Sequence, residues 1–122
     1  MDLGEHVETS RFYRNMHRRI IRNFLDVLIL TELRKGSLSG YDVITFVHEK
    51  FHLLVSSGTV YSMFYSLERN GLIVGAWMQR KRVYRLTDEG KRTIKRIMSA
   101  SDETRYLVLS LLKSQKESQD QQ

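Results

Sequence analysis

The 122-residue sequence contains no cysteine, which excludes disulfides, thiolate metal sites and cysteine nucleophiles. No apolar stretch reaches the roughly 18 residues that a membrane span needs, because Asp26, Thr31 and Glu32 interrupt the densest apolar run. The first residues lack both the basic region and the apolar region of a secretory signal. These absences predict a soluble cytoplasmic protein without a membrane partner, of a length that allows a single hydrophobic core.

Catalytic patterns are also scarce. The sequence has no G-x-S-x-G motif and no glycine-rich phosphate loop, so we expect neither an enzyme nor a cofactor. His48-Glu49-Lys50-Phe51-His52 matches the H-E-x-x-H zinc-protease motif on a predicted helix. A zinc site needs a third protein ligand, and the other histidines, His6 and His17, lie in the N-terminal segment. We therefore favour a helix with two partly exposed histidines over a protease or a regulatory metal site, and predict no metal.

Positive charge is in excess, since 20 Lys and Arg against 14 Asp and Glu give a net charge of +6. The excess is concentrated in two groups, one within residues 11–22 and one within residues 80–96. Two basic groups that flank a more neutral centre favour a polyanionic partner. The alternative is that these side chains form solvated helix faces and a charged hairpin tip.

The spacing of apolar residues predicts a mostly α-helical fold. The predicted helices cover residues 10–22, 22–34, 39–51 and 58–69. The second of them is apolar on nearly all sides and is therefore expected to be central. The residues of the third that recur at the three- and four-residue spacing of one buried face are Tyr41, Ile44, Val47, His48 and Phe51. Ser39 and Ser56-Ser57 are suited to cap the N-termini of the last two helices.

A small β-hairpin is predicted after these helices, because residues 72–74 and 82–86 are β-branched and aromatic. Residues 78–81 between them are the expected tip. Thr87 is placed to cap a last helix, and whether residues 99–102 break that helix is left open. Three helices, a hairpin and a helix follow one another in the order of a winged helix-turn-helix.

Four segments in this order resemble the PadR family of bacterial and archaeal regulators. They are Leu38-Ser39-Gly40-Tyr41-Asp42, Ser57-Gly58-Thr59-Val60-Tyr61, Leu67-Glu68-Arg69-Asn70-Gly71-Leu72-Ile73 and Arg82-Val83-Tyr84-Arg85-Leu86-Thr87-Asp88-Glu89-Gly90. The family often has proline where this chain has Ser62. The resemblance implies a winged helix and homodimeric repression of nearby genes, with the short C-terminal part of members that dimerise through one helix. The identity of an inducer is not implied, because the effectors of the family are diverse.

The chain is accordingly expected to divide into segments with different roles. They are a basic, helical N-terminal segment (1–22), a winged helix-turn-helix DNA-binding domain (23–87), a C-terminal dimerisation helix (88–113) and a disordered tail (114–122). Whether residues 1–22 contact DNA or the dimer partner is left open.

Double-stranded DNA is the predicted partner, read by the helix over residues 58–69 and contacted by the hairpin tip. Small hydroxyl-bearing side chains allow close approach to bases and phosphates. The predicted DNA-binding residues are Ser57, Thr59, Tyr61, Ser62, Tyr65, Ser66 and Arg69 on the helix, and Gln79, Arg80, Lys81 and Arg82 at the tip. Trp77 either packs the hairpin against the core or lines an aromatic effector pocket at the dimer interface.

A second copy of the chain is the other predicted partner, because the terminal helices are more apolar than one intramolecular contact can cover. The predicted interface comprises Phe12, Tyr13, Met16, Ile20, Tyr106, Val108, Leu109 and Leu112. The function predicted from these patterns is a sequence-specific transcriptional regulator, a repressor, that binds inverted-repeat operators as a homodimer; response to a small-molecule effector is left open. The alternative is a winged helix that contacts proteins and has no sequence-specific DNA binding.

Overall fold

The computed structural model describes residues 3–113, with side chains from residue 10 onward. The elements in chain order are α1 (Leu3–Asn23), α2 (Leu25–Leu33), β1 (Leu38–Ser39), α3 (Gly40–Phe51), α4 (Ser57–Arg69), β2 (Ile73–Met78), β3 (Lys81–Leu86), α5 (Asp88–Ser99) and α6 (Ser101–Leu112). This order confirms the predicted mostly helical winged helix-turn-helix. The tail predicted for residues 114–122 lies outside the described residues.

The helices α1 and α2 are joined with almost no interruption in their hydrogen bonding. The Phe24 N–H donates to the Ile20 carbonyl at 3.0 Å, and the Leu28 N–H donates to the Phe24 carbonyl at 2.9 Å. Phe24 itself leaves helical geometry, with φ −110° and ψ 19°. The predicted central helix therefore begins at Leu25, and it packs against α4, α5 and β3 as a central helix should.

Side-chain caps fix the starts of three helices where the sequence predicts them. Ser39 and Asp42 form a reciprocal capping box at α3, in which the Ser39 N–H donates to Asp42 Oδ2 at 2.8 Å. Ser56 Oγ accepts the Thr59 N–H at 3.1 Å at the start of α4. Thr87 Oγ1 accepts the Gly90 N–H at 3.0 Å at the start of α5. Each cap satisfies a backbone donor that has no partner within its own helix.

The three strands form an antiparallel sheet in the order β1-β3-β2. The hairpin of β2 and β3 confirms the predicted one, and its strands extend to the pair Met78 and Lys81, so that only Gln79 and Arg80 form the turn. The sequence did not predict β1, whose Leu38 pairs with Tyr84. A strand of two residues is too short to show an alternating pattern.

The hydrophobic core lies between α2, α3, α4, the sheet and α5. Its buried apolar residues are Leu25, Ile29, Leu30, Leu33, Val43, Val47, Val60, Phe64, Leu67, Ile73, Tyr84, Leu86 and Ile94. At its centre the rings of Phe64 and Tyr84 are stacked with centroids 4.1 Å apart, which joins α4 to β3. The expectation that Tyr41 and His48 lie on the buried face is wrong: both are exposed, Tyr41 at 73%, and Val43 faces the core with Val47.

The C-terminal part consists of two helices, because α5 ends where the Ala100 N–H donates back to the Arg96 and Ile97 carbonyls. Residues 99–102 therefore do break the helix, the point that the sequence left open. No side chain caps the start of α6, and none of its residues is buried. This helix projects from the core without packing on it.

Within residues 3–113, no helix combines the length and the apolar character that crossing a bilayer would require.

Candidate nucleic-acid interface

The helix α4 presents opposite faces to the core and to the surroundings. Val60, Phe64 and Leu67 are buried, whereas all seven α4 residues predicted to bind DNA are exposed. They are Ser57, Thr59, Tyr61, Ser62, Tyr65, Ser66 and Arg69. The last four recur at the three- and four-residue spacing that places side chains on one helical face. This face carries hydroxyls and one guanidinium, which are groups that hydrogen-bond to bases and phosphates.

Two of the seven predicted residues have partners within the chain. Thr59 Oγ1 lies 2.8 Å from Ser56 Oγ, so that its hydroxyl takes part in the cap of α4. The Tyr61 ring lies against Gly40 of α3, where a Cβ would be only 2.7 Å from the tyrosine Cζ. Tyr61 nevertheless stays 49% exposed, and therefore its outer edge is accessible. A side chain at residue 40 would therefore displace the end of this ring.

The N-terminus of α4 is a favourable position for an anion. Its first turn contains no acidic residue, so no side-chain charge offsets the positive end of the helix dipole. Free amide groups at such an end bind phosphate oxygens well. The start of α4 and its hydroxyl-bearing face are continuous on the surface.

The hairpin of β2 and β3, which we call the wing, ends at its tip in a two-residue turn with a left-handed backbone. Gln79 has φ 48° and Arg80 has φ 69°, as a type I′ turn requires at both central positions. Neither residue is glycine, and each costs roughly 1 kcal/mol or more in this conformation. Among the described side chains, Arg80 and Lys81 form no ion pair. The end of the wing thus carries two cations that are unpaired among the side chains described.

Arg82 differs from its neighbours at the tip because it bonds to α4. Its Nη2 donates to Glu68 Oε2 at 3.1 Å, and the same oxygen accepts the Gly75 N–H at 2.8 Å. The guanidinium carbon also lies 5.5 Å from the centre of the Tyr84 ring. Tyr84 and then Glu68 raise the pKa of Arg82 above its ordinary value. The predicted contact of Arg82 with DNA therefore stays a prediction, for a side chain that already joins the wing to α4.

Glu68 was not among the predicted site residues, although one carboxylate bonds to both strands of the wing. Two signals in the sequence concerned Glu68: it belongs to the segment Leu67-Glu68-Arg69-Asn70-Gly71-Leu72-Ile73 that resembles the PadR family, and it lies in the last turn of α4. Acidic residues at such positions are common, and nothing in the local pattern identifies the strand residues that this one contacts.

Lys81 lies near the start of α3. The Ser39 N–H that donates to Asp42 Oδ2 is the main reason why the pKa of Asp42 is below its ordinary value, and the positive charge of Lys81 lowers it further. The strand pairing of Ser39 with Val83 brings the wing to the start of α3, and the contact of Tyr61 with Gly40 brings the first turns of α4 to the same place. The structure brings the predicted helix and wing residues together there.

The predicted dimer residues lie apart from the core on α1 and α6. Seven of the eight are exposed, from Val108 at 41% to Tyr106 at 72%, while Met16 is half-buried. The set is Phe12, Tyr13, Met16, Ile20, Tyr106, Val108, Leu109 and Leu112. No residue of α6 is covered by the rest of the described chain. Within the described part of the chain, the two helices therefore leave large apolar side chains without a packing partner.

The H-E-x-x-H motif and Trp77 lie outside these two surfaces. His52 ends α3 in a left-handed conformation, with φ 57°, so it does not continue the helical turn that carries His48. Among the described side chains, no group of three or more potential ligands is placed to hold a metal ion. Trp77 is 71% exposed, so the interpretation that it packs the hairpin against the core is wrong.

Comparison with known proteins agrees with this geometry. The model of the transcriptional regulator PadR-like family matches residues 29–96. No curated protein matches the chain. Among solved structures, a transcriptional regulator from Clostridium thermocellum is 28% identical with a TM-score of 0.68, covering 78% of this chain and 96% of its own. A PadR family regulator from Eggerthella lenta shares the fold at 23% identity and a TM-score of 0.72, covering 88% and 98%.

A third similar protein is Bacillus subtilis PadR in complex with operator DNA, at 31% identity and a TM-score of 0.56. The match covers 61% of this chain and 46% of the Bacillus protein. The same protein has been solved with p-coumaric acid. The family model matches more than half of the 122 residues of this chain, and the chain therefore belongs to the PadR-like family of transcriptional regulators.

Proposed function

We propose that this chain is a sequence-specific DNA-binding regulator in which α4 reads the major groove and the wing contacts the backbone. One observation carries the proposal: Glu68 bonds α4 to both strands of the wing, so the exposed face of α4 is held next to a wing whose cations, Arg80 and Lys81, are unpaired among the described side chains. A helix of this width fits the major groove, and phosphate contacts from a neighbouring wing fix its register. The complex of Bacillus subtilis PadR with operator DNA supports the same use of the fold.

The residues of the proposed interface divide by the kind of contact that they make. Ser62, Tyr65, Ser66 and Arg69 share one face of α4 and would reach base edges. Arg80 and Lys81 at the tip would bind phosphates, as would the start of α4 around Ser57. Tyr61 and Arg82 are held by Gly40 and Glu68, so they contribute first to placing α3, α4 and the wing relative to one another.

A homodimer is the proposed functional unit, with α1 and α6 forming its seam. The apolar side chains of α6 are exposed around most of the helix. A monomer would therefore present a contiguous apolar patch, which soluble proteins avoid. A two-fold dimer would place two copies of α4 about one turn of DNA apart, ~34–36 Å, on inverted half-sites. Occupancy of such a site near a promoter is expected to repress transcription, as the resemblance to PadR implies. The complex of Bacillus subtilis PadR with p-coumaric acid supports control by a small effector.

Selection from a random duplex DNA library tests this function with two double variants. Ser62→Ala/Tyr65→Ala should change the preferred sequence, because lost base contacts remove ~1–3 kcal/mol of discrimination each. Arg80→Ala/Lys81→Ala should keep the preference, weaken binding on every sequence and flatten the dependence of log K on log salt by about two per protomer. Arg92→Ala/Arg96→Ala on α5 is the control with the same loss of charge.

The alternative function, a winged helix that contacts proteins, predicts a different result. The parent protein would then show no preferred sequence, and its weak binding to random duplex DNA would be lowered equally by the wing variant and by the α5 control. Either result would reject the proposed roles of α4 and the wing.

A further inference from the structure

A cavity of about 640 Å³ lies at the base of the wing, on a different part of the surface from the α4 face. The C-terminal end of α2, the end of β3 and α5 surround it. Its floor is apolar: Leu33, Leu86 and Ile94 belong to the buried core, and Met98 extends the floor outward. A volume of this size is typical of sites for small organic molecules.

The rim of this cavity is basic. Among the side chains that the structure describes, the cavity is lined by five cations and by no acidic residue; the cations are Arg34, Lys35, Arg85, Lys91 and Lys95. Lys35 is paired with Glu32 at 3.1 Å, but the other four form no ion pair among the described side chains. Like charges held together without an acid repel one another, and a bound anion would relieve that repulsion.

From this geometry we infer that the cavity binds a small organic carboxylate with an apolar body. The apolar part would cover Met98, which is 43% exposed, above the buried core residues, and the carboxylate would accept hydrogen bonds from the rim. Lys91 and Lys95 are four residues apart on α5 and therefore project from one side of the helix toward the same region. A simple inorganic anion would use the rim and leave the exposed side chain of Met98 uncovered.

DNA phosphate is the other anion that five cations could meet. The cavity, however, lies at the Leu86 end of β3, whereas the wing tip begins at Lys81, about 16 Å away along a strand of this length. A phosphate backbone has no use for a buried apolar floor. An effect of the bound carboxylate on DNA affinity would rest on the proposed function, whereas binding of the carboxylate to the cavity does not.

Calorimetry on the full chain tests the site without any DNA, using octanoate, 1-octanol and acetate as probes. Octanoate should bind more tightly than either of the others, because only it has both an apolar body and a carboxylate. Lys91→Gln/Lys95→Gln should weaken octanoate binding about tenfold, as expected for loss of charge-assisted hydrogen bonds. Arg92→Gln/Arg96→Gln removes the same charge from α5 outside the cavity and should leave octanoate binding unchanged.

Three outcomes would overturn the inference. Equal binding of octanoate and 1-octanol would show that the cations do not contact the ligand, and equal binding of octanoate and acetate would show that the floor does not. If Lys91→Gln/Lys95→Gln weakened binding to random duplex DNA more than the α5 control did, the rim would serve phosphate. If the chain bound octanoate as predicted but had no preferred DNA sequence, the carboxylate site would be supported and only the proposed DNA-binding function would be rejected.

Discussion

Glu68 shows how much of this molecule depends on single contacts between elements. Its carboxylate accepts the Gly75 N–H from β2 and the Arg82 guanidinium from β3, and so it fixes the angle between α4 and the wing. Both side chains of the ion pair are about one third exposed, so the backbone bond to Gly75 is the more important of the two for stability.

Replacing Glu68 by Ala should lower the free energy of unfolding by about 1–2 kcal/mol, because the Gly75 N–H loses its acceptor. Glu68→Gln keeps an acceptor for that N–H and should recover part of the loss. Chemical denaturation and exchange of the Gly75 amide measure the two effects. Glu49→Ala, which removes an exposed acid from α3, is the control. Equal stability of Glu68→Ala and Glu49→Ala, with unchanged exchange at Gly75, would contradict the role of Glu68.

The contacts of individual side chains were the part of the structure that the sequence predicted least well. The exposed hydroxyl face of α4 could be predicted from helical spacing alone. The turn at Gln79-Arg80 lacks the Asn-Gly signal typical of its type, so only the hairpin and its approximate tip were predictable. The partners of Glu68 and Tyr61 are distant in sequence, and local spacing carries no information about them.

At the scale of elements, the capping box of α3 makes the stability of this helix depend on pH. Asp42 must be ionised to accept the Ser39 N–H with full strength, and this bond lowers the pKa of Asp42 from its ordinary value of 3.8. The contribution is therefore complete above pH 3.8 and is lost as the pH falls below that value through the lower pKa of the folded state.

The variant Asp42→Ala should be about 1 kcal/mol less stable than the parent at neutral pH, which is typical of a lost helix cap. The difference should shrink as the pH falls below 3.8, since the parent then loses the same interaction. Denaturation curves at several pH values measure it. Asp102→Ala at the start of α6, where no capping box forms, is the matched control. A difference that stayed constant from neutral pH to pH 3 would refute this explanation.

Elements with a side-chain cap or a strong apolar face were predictable, and the others were not. The caps at Ser39, Ser56 and Thr87 lie where the sequence placed them. The strand β1 depends on pairing with β3, a tertiary contact that two residues cannot reveal. Tyr41 fits the spacing of a buried face, yet it is exposed, and Val43 is buried with Val47 instead.

At the scale of the whole molecule, the unpacked terminal helices make a specific prediction about assembly. Leu109→Glu/Leu112→Glu should convert dimers into monomers while the core stays folded, because α6 contributes nothing to that core. Operator binding should be lost with the dimer. Light scattering at micromolar concentration measures the assembly, and circular dichroism reports the fold. Ser110→Glu, on the polar side of the same helix, is the control.

The dimer would be refuted by a parent protein that is monomeric under these conditions. It would equally be refuted if the double variant remained dimeric, since the seam would then lie elsewhere.

The exposed Trp77 has a practical consequence for all of these measurements. It is the only tryptophan in the chain, it is 71% exposed, and it lies on β2 opposite Arg82, one pair before the end of the wing. The intrinsic fluorescence excited at the red edge of protein absorption therefore comes from the wing alone, with the emission colour of a water-exposed indole. Any macromolecule that covers the wing will shift or quench that light, whereas an event confined to α6 will not. The protein thus contains its own optical probe, placed at the surface where the proposed partner binds.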